Sequence, residues 1–423
     1  MARDKRNLNV AFVGHVDHGK STTIGRLMFD TGAVSPQELD KLKAEAEKHG
    51  KAGFEFAYVM DKFKEERERG VTIDLSYRKI QTKKYQITII DAPGHKDFIK
   101  NMITGASQSD AAFLTVAASE GIQPQTKEHL WLLRTMGVRQ IAILVNKMDV
   151  AGYKEEAFNK VKADVSTLLK QVGFKPDTIN FIAASGLKGD NVGKRSENMP
   201  WYKGPTILEQ FDNFEEPAAL NAFPLRMPIQ DAYEITGIGT VPVGKIVTGT
   251  MKIGQKVIIL PGRSGTGVPG EIRTIEMHHE QMPEAQAGDN VGINIRGVGK
   301  KDVARGDVLC DASKPAPVVK EFTAQIAVIN HPTVIAKGYT PVFHVHTGQV
   351  PCTITELIEK REGDQIVKNP DFLKNGDVAK VKITPIGHLV IEKQTDNPMM
   401  SGFAIRDAGA TVAAGVCIDL VAK

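Results

Sequence analysis

Short apolar runs alternate with amphipathic segments in the first half of the chain. The apolar runs lie at 10–13, 87–90, 111–116, 141–145 and 181–184. Segments with helical periodicity, such as 126–136 and 155–171, lie between them. Repeated strand, loop and helix is typical of a parallel sheet with helices on both faces. The pattern therefore predicts an α/β domain over residues 1–218.

The pattern of hydrophobic and polar residues changes in the second half of the chain. Short segments rich in Val and Ile are interrupted by Gly and Pro every eight to twelve residues, which is typical of β-barrels. The two prolines in Ser313–Pro317 interrupt the pattern once more. We therefore predict two all-β barrels, over residues 219–315 and 316–423.

Composition narrows the class of protein. The 423 residues contain 41% hydrophobic side chains, enough for full cores, and 54 Lys plus Arg against 50 Asp plus Glu give a formal charge of +4. That balance excludes a strongly basic tail but not a local basic face. The three cysteines are far apart in the sequence, and no apolar stretch suits a signal peptide or a membrane span. These features predict a cytoplasmic protein without a membrane partner.

A phosphate-binding loop is predicted where the first apolar run ends. The sequence from Gly14 to Ser21 reads G-x-x-x-x-G-K-S and leads into a helix. Glycines let backbone amides converge on a phosphate, and the helix N-terminus and a lysine supply positive charge to bind it. A serine hydroxyl is a suitable ligand for Mg²⁺. The predicted contacts are Gly14, His15, Val16, Asp17, His18, Gly19, Lys20, Ser21 and Thr22.

Three further motifs follow other predicted strands, and two of them are suited to select the base. Asn146, Lys147 and Asp149 form N-K-x-D, in which a carboxylate can accept from guanine N1–H and N2–H₂ and an amide can bond N7 and O6. Asp91 and Gly94 form D-x-x-G. The Asp91 carboxylate would lie beside Mg²⁺, and Gly94, which has no side chain, would let the backbone approach the γ-phosphate closely. The amides of Ser185, Gly186 and Leu187 can read guanine O6. In this order, the motifs predict binding of GTP or GDP with Mg²⁺.

These motifs, together with Arg69–Ile73, resemble those of translational GTPases. Longer runs are most similar to archaeal and eukaryotic elongation factor 1-alpha, and the compact length favours the archaeal type. The runs are 51–61, 101–107 and 121–126 in the first half and 228–233, 276–279, 288–290 and 403–407 in the second.

The resemblance implies a switch and a catalytic group in the first domain. Thr72 would sense the γ-phosphate and share Mg²⁺ with Ser21 and Asp91. His95 would orient the attacking water, either as a base or as a donor. Val16 and Val71 would form an apolar gate in front of His95, so GTP hydrolysis would be slow until the ribosome acts.

The resemblance also implies that the GTP-bound form carries aminoacyl-tRNA to the ribosomal A site. The barrel residues that would contact it are Glu276, His278, Asn290 and Arg406. Gly402 stands where the family usually has arginine, so Gly402→Arg would be expected to tighten tRNA binding. His344 and His346 alternate with apolar residues and are interpreted as a polar strand face near the tRNA. Further implied partners are a nucleotide exchange factor of the elongation factor 1-beta type and archaeal release and ribosome-rescue factors.

Two alternative functions remain at this stage. One is another ribosomal GTPase. Against it, the sequence contains no Cys-x-x-Cys knuckle like that of initiation factor gamma subunits, and it is expected to have neither a long extension before the P-loop nor a fourth domain. The other is a GTPase subunit that regulates a sulfate-activating enzyme, for which the aminoacyl pocket residues would have no use. Binding of tRNA or of a sulfurylase separates these alternatives.

Overall fold

The computed structural model describes residues 6–48, 53, 55–60, 66, 72, 74–215, 220–277, 280–362 and 365–423. The chain divides into two compact units. The first comprises Met1–Arg134 and Val138–Pro217, and the second comprises Thr135–Gly137 and Ala218–Lys423.

A six-stranded sheet forms the centre of the first unit. Its strands are β1 (Arg6–Gly14), β2 (Ser76–Gln81), β3 (Tyr85–Asp91), β4 (Ala111–Ala117), β5 (Gln140–Asn146) and β6 (Phe181–Ala183). The strand order is β2-β3-β1-β4-β5-β6. The predicted runs all lie in strands, but β2 pairs antiparallel with β3, so the sheet is mixed rather than wholly parallel. A tight turn between β2 and β3 needs no crossover helix, which is why this edge runs antiparallel.

The described helices of this unit connect the strands, and most of them bury an apolar face, whereas Pro36–Lys48 buries only Ala46. They are α1 (Lys20–Asp30), α2 (Pro36–Lys48), α3 (Glu55–Tyr58), α4 (Ile99–Ser107), α5 (Pro124–Thr135), α6 (Glu155–Val172) and α7 (Ile207–Asn213). The core is aromatic where α7 meets the sheet, since Phe113 stacks on Phe12 at 4.7 Å and meets Phe211 edge-on at 5.2 Å. None of the described helices is both long and apolar enough to cross a bilayer.

The second unit begins with a closed barrel. Its strands are β7 (Arg226–Ile235), β8 (Gly239–Lys245), β9 (Thr250–Lys252), β10 (Lys256–Leu260), β11 (Val268–Met277), β12 (Glu280–Met282), β13 (Glu284–Gln286), β14 (Asn290–Arg296) and β15 (Val308–Asp311). The sheet runs β10-β15-β7-β8-β14-β11-β12, and pairing of β10 with β11 closes it. Alternating residues of these strands, such as Met227 and Ile229, fill the interior.

A second barrel follows. Its strands are β16 (Val319–Val328), β17 (Ile335–Ala336), β18 (Val342–Val345), β19 (Gly348–Glu362), β20 (Gln365–Lys368), β21 (Phe372–Leu373), β22 (Val378–Pro385), β23 (Gly402–Asp407) and β24 (Ala410–Ala422). The order β18-β23-β24-β16-β22-β19-β20 closes through pairing of β18 with β19. Phe322, Phe343 and Phe403 meet at its centre.

The interpretation of His344 and His346 as an exposed polar face is wrong. Both side chains are buried, and His346 lies in a left-handed turn (φ 54°) after β18 rather than on the strand. The alternation does not predict this, because β18 ends at Val345, one residue before His346, and His344 is buried although Val342 on the same face is exposed.

Candidate nucleotide-binding site

One cavity of about 360 Å³ brings the predicted nucleotide motifs together. It lies where parallel strands β1 and β5 and the neighbouring β3 end, and the residues after these strands form its wall. Crevices at the carboxyl ends of parallel strands are the usual ligand sites of such sheets. The P-loop, Thr72, Gly94–His95, Asn146–Asp149 and Ser185–Leu187 all contribute to the lining.

The P-loop turns sharply between β1 and α1. Gly14, Asp17 and Gly19 have φ values of 140°, 61° and 85°, and α1 begins at Lys20. The left-handed residues suit a loop whose amides point inward. Lys20 Nζ donates to the carbonyl oxygens of Gly14 (3.1 Å) and His15 (2.8 Å), so its ammonium is held across the loop. Burial lowers the pKa of Lys20 to about 8, although Asp91 and Asp17 oppose this change.

Two neutral histidines, His18 and His129, hydrogen-bond to backbone amides at and next to the P-loop. The Gly14 amide donates to His129 Nδ1 (3.0 Å), and the Ala117 amide is 3.3 Å from His18 Nδ1. Burial lowers the pKa of His18 to about 4 and that of His129 well below its ordinary value, so both rings remain neutral acceptors. The sequence analysis missed His129. Its position on the apolar stripe of α5, beside Thr126, Leu130 and Leu133, was the available signal.

Asp91 is a buried carboxylate at the end of β3. Neither of its oxygens accepts a hydrogen bond from the described part of the chain. Burial raises its pKa to about 6, and the nearby Ser21 hydroxyl and Lys20 ammonium offset part of that rise. The hydroxyl oxygens of Ser21 and Thr72 lie 3.1 Å apart in the same cavity. Hydroxyl and carboxylate oxygens suit Mg²⁺, so the residues present fit this ion.

Gly94 allows a close approach at the cavity wall. A Cβ atom at this position would lie 2.5 Å from Lys20 Nζ and 2.8 Å from the Val16 amide nitrogen. Any larger residue would therefore fill the space beside the Lys20 ammonium.

Asn146 has an internal role that the sequence did not reveal. Its Nδ2 donates to the His18 carbonyl (2.9 Å), and its Oδ1 accepts from the Gly186 amide (2.9 Å). The side chain therefore aligns the P-loop with the loop after β6, and its contact with the base stays a prediction. Lys147 adopts φ 58°, and its ammonium lies 3.2 Å from the Glu120 carboxylate.

The two segments predicted to read guanine face the same cavity. Asp149 is half-buried in its wall, opposite the loop of Ser185, Gly186 and Leu187. The Ser185 hydroxyl accepts from the Lys188 amide (3.1 Å), which shapes that loop. A carboxylate and a set of backbone amides are therefore both available to one base.

His95 also lines the cavity, at the start of a short 3₁₀ turn. The Asp97 amide donates to its Nδ1 (3.3 Å), and the ring is partly exposed. Of the two predicted gate residues, Val16 lines the cavity and Val71 lies outside the described residues.

The residues predicted to contact tRNA lie in the second unit. Glu276 on β11 pairs with Gly292 of β14, which places Asn290 diagonally across from it on the same face. His278 lies outside the described residues. Arg406 donates to Thr411 Oγ1 (3.1 Å) and to the Gly409 carbonyl (2.8 Å) within the β23–β24 hairpin. Gly402 is buried, so the expected gain in tRNA affinity from Gly402→Arg is not supported.

Comparison with known proteins identifies the family. Residues 5–217 match the elongation factor Tu GTP binding domain, residues 239–310 match elongation factor Tu domain 2, and residues 321–418 match the GTP-eEF1A C-terminal domain-like family. Elongation factor 1-alpha of Methanocaldococcus jannaschii is 58% identical, and the alignment covers 100% of both chains. The chain belongs to the elongation factor 1-alpha family. The predicted archaeal type is confirmed, and the fold is an α/β GTPase domain followed by two β-rich domains.

Other relatives agree with this family membership. Elongation factor 1-alpha of Archaeoglobus fulgidus is 54% identical over 100% of both chains. Translation elongation factor SelB of Methanococcus maripaludis, solved in complex with the GTP analogue GPPNHP, shares the fold. Its TM-score is 0.68 at 23% identity over 99% of this chain and 80% of that one. As an elongation factor 1-alpha, the chain is a translation elongation GTPase that hydrolyses GTP, binds GTP or GDP with Mg²⁺ and delivers aminoacyl-tRNA to the ribosome.

Proposed function

We propose specific roles for the cavity residues in this elongation cycle. The P-loop amides, the N-terminus of α1 and Lys20 bind the phosphates of GTP, and Asp149 with the Ser185–Leu187 amides selects guanine. The observation that carries this proposal is the meeting of all these segments in one cavity, next to the unpaired carboxylate of Asp91. Phosphoryl transfer needs such positioning and charge neutralisation more than covalent chemistry.

The metal ligands follow from the same arrangement. Ser21, Thr72 and Asp91 would hold Mg²⁺, which supplies positive charge to the β- and γ-phosphate oxygens when bound. Asp91 is buried close to the Ser21 hydroxyl, so a divalent ion would satisfy a carboxylate whose oxygens accept no hydrogen bond from the described residues. Thr72 would then link the γ-phosphate to the conformation of its own segment.

The geometry of His95 favours an orienting role over a basic one. The Asp97 amide donates to Nδ1 (3.3 Å), and the Asp97 carboxylate lies 3.5 Å from the same atom. With Nδ1 as the acceptor, the proton of a neutral ring would reside on Nε2. An Nε2–H group can donate to the attacking water and hold it in line, but it cannot accept the proton of that water. Val16 in the same cavity wall supports the predicted gate, for which Val71 is the second residue.

We further propose three functional segments, residues 1–218, 219–315 and 316–423. In this division, the GTP-bound form holds the aminoacyl end of tRNA on the first barrel, at Glu276, His278 and Asn290, and the T-arm on the second, near Arg406. The shared face of Glu276 and Asn290 supports this placement. Because a translation factor works where ribosomes are, and all three cysteines are free and buried, we place the protein in the cytoplasm.

Two further partners belong to the proposal. The phosphate-binding lysine is buried, and six segments of the chain line the cavity, so GDP should leave slowly without help. We infer that an exchange factor of the elongation factor 1-beta type accelerates this release. Archaeal release and ribosome-rescue factors are the other proposed cargo, because they would present a tRNA-shaped surface to the same barrels.

A filter-binding experiment tests the proposed tRNA site. Charged and uncharged tRNA are titrated against the chain with GTP and then with GDP, over a series of salt concentrations. We expect the GTP form to prefer charged tRNA, and Glu276→Gln to weaken that binding by about tenfold. Glu284→Gln, an exposed carboxylate of the same barrel, is the matched control. Indifference to aminoacylation, or equal affinity with GDP and GTP, would refute the proposed site.

A further inference from the structure

The loop that carries Asp149 ends at Tyr153, a residue with an unusual backbone conformation. After β5 the chain runs through Asn146–Asp149 to Tyr153, which adopts φ 57°, a conformation that L-residues rarely occupy. The Tyr153 amide donates to the Met148 carbonyl (2.8 Å), and the Tyr153 carbonyl accepts from Trp201 Nε1 (3.0 Å). The backbone of this tyrosine is therefore fixed on both sides.

The Tyr153 side chain reaches the other guanine-reading loop. Its hydroxyl donates to Asp190 Oδ2 at 2.9 Å. Burial, together with the neighbouring Asp190 carboxylate, raises the pKa of Tyr153 to about 12, so the hydroxyl keeps its proton and remains a donor. A charged acceptor makes this bond stronger than one between neutral groups.

Asp190 in turn closes the loop that contains Ser185–Leu187. Its backbone carbonyl accepts from the Ser185 amide (3.1 Å), which pairs the two ends of the loop. The other carboxylate oxygen, Oδ1, accepts from Ser196 Oγ (2.6 Å) and Asn198 Nδ2 (3.1 Å). Asp190 is thus held by its own loop and by the segment that follows, and it offers Oδ2 to Tyr153.

We propose that Tyr153 and Asp190 are positioning residues for guanine recognition. Their hydrogen bond joins the two loops outside the cavity, in addition to the bond from the Gly186 amide to Asn146 at the cavity wall. It thereby helps to set the distance between Asp149 and the amides of Ser185–Leu187, and with it base discrimination and the lifetime of the bound nucleotide. This inference rests on the proposed role of Asp149. It extends that role to two side chains that lie outside the N-K-x-D and Ser185–Leu187 motifs.

The bond should act on the base and not on the phosphates. Neither Tyr153 nor Asp190 lines the nucleotide cavity, whereas the P-loop is braced separately, by Asn146 and by the His129 contact with Gly14. Loosening the link between the two loops would therefore misplace Asp149 while leaving Lys20 and the P-loop amides in position. A shift of one ångström in a positioning contact is enough to weaken it severely.

The test compares GDP with IDP, which lacks the 2-amino group that Asp149 is expected to bind. In Tyr153→Phe we expect GDP to dissociate about tenfold faster, since a hydrogen bond to a charged group is lost. IDP should change by less than about threefold, because it never made the second contact with Asp149. The dissociation rate of IDP divided by that of GDP therefore falls, and the midpoint of thermal unfolding stays within a few degrees of the parent value.

The matched control is Tyr339→Phe. It removes a similar hydroxyl, which donates to the Asp407 carboxylate at 2.7 Å in the second barrel. We expect both dissociation rates to match the parent protein. Asp190→Ala, which removes the acceptor of the Tyr153 hydroxyl and also the bonds to Ser196 and Asn198, should accelerate GDP dissociation at least as much as Tyr153→Phe. The double variant should be no worse than Asp190→Ala, because both changes break the Tyr153–Asp190 bond.

Four outcomes would overturn the inference or the contact on which it rests. GDP dissociation from Tyr153→Phe within twofold of the parent would remove Tyr153 from the recognition system. Equal acceleration of GDP and IDP would assign the bond to the stability of the loops alone. Asp149→Asn with unchanged base selectivity would refute the proposed guanine contact itself. Selectivity lost in Asp149→Asn but kept in Tyr153→Phe would refute only the positioning role.

Discussion

At the scale of single residues, base selectivity should depend on Asp149. In Asp149→Asn the side chain gains a donor, which suits the C2 carbonyl of xanthine and no longer suits the two donors of guanine. We expect affinity for GTP to fall by about 1.5–3 kcal/mol per lost charge-assisted hydrogen bond, and affinity for xanthosine triphosphate to rise. Competition binding of the two nucleotides measures the change. A wild-type protein that bound ATP and GTP equally would contradict this assignment.

His95 should affect hydrolysis and leave binding unchanged. His95→Ala removes the Nε2–H donor, so ribosome-stimulated hydrolysis should fall about 10²-fold, with GTP and tRNA affinities preserved. His95→Gln, which retains an N–H donor, should keep more activity than His95→Ala if the residue orients water. His388→Ala, an exposed histidine of the second unit, is the control. Stimulated turnover within a few-fold of wild type in His95→Ala would show that His95 is not the orienting residue.

His346 should make the stability of the second unit depend on pH. Burial lowers its pKa to about 4 from 6.5. Below pH 6.5 the unfolded chain binds a proton that the folded chain does not, so this contribution to stability is present above 6.5 and disappears by about pH 4. Between about pH 7.5 and about pH 5 the loss should be about 2 kcal/mol.

Urea unfolding at the two pH values measures that loss. His346→Asn does not titrate, and Asn tolerates the left-handed φ of 54°, so this variant should lose less stability on acidification than the parent. His388→Asn changes an exposed ring and should behave like the parent. An unchanged pH dependence in His346→Asn would contradict the assignment.

At the scale of elements, helix α7 is stabilised by a capping box. The Glu209 amide donates to Thr206 Oγ1 (3.1 Å), and the Thr206 amide donates to the Glu209 carboxylate (2.8 Å). Thr206→Ala should therefore destabilise the first unit by about 1 kcal/mol in thermal or urea unfolding. Thr167→Ala, in the exposed middle of α6, should cost no more than a few tenths of a kcal/mol and serves as the control. Equal losses in the two variants would exclude a capping effect.

At the scale of the whole molecule, a buried ion pair joins the two barrels of the second unit. Arg226 on β7 donates from Nε and Nη2 to the two carboxylate oxygens of Glu392, at 2.8 and 3.2 Å. Arg226 Nη1 also donates to the Lys314 carbonyl in the connecting segment (2.8 Å). An apolar cluster that includes Val247 and Val390 surrounds the contact. The barrels should therefore move as one body.

Removal of one partner should reveal the strength of this connection. Glu392→Gln leaves the Arg226 cation buried without its counterion, so the free energy of unfolding should fall by about 3–5 kcal/mol. Lys252→Met breaks an exposed pair with Glu284, whose side chains are 66% and 63% accessible, and should cost about 1 kcal/mol or less. Similar losses in the two variants would show that the barrels do not depend on the Arg226 pair.

The sequence by itself determined the motifs whose chemistry is local. A phosphate loop needs its glycines and lysine within one turn between a strand and a helix, so the pattern Gly14–Ser21 was sufficient to predict it. The same holds for Asp91–Gly94 and Asn146–Asp149, each of which follows a strand that its apolar run had already revealed. The two barrels could be predicted from the sequence because their strands and turns alternate at short range.

Only the tertiary structure decided which distant side chains support those motifs. Gly14 and His129 are 115 positions apart, Tyr153 and Asp190 are 37 apart, and Arg226 and Glu392 are 166 apart. Helical periodicity can show that a residue such as His129 is buried, but the partner of a single His, Tyr or Asp is set by chain topology. The tautomer of His95, the internal bonds of Asn146 and the burial of His346 were undetermined for the same reason. Each depends on neighbours that the fold, and not the local sequence, brings into contact.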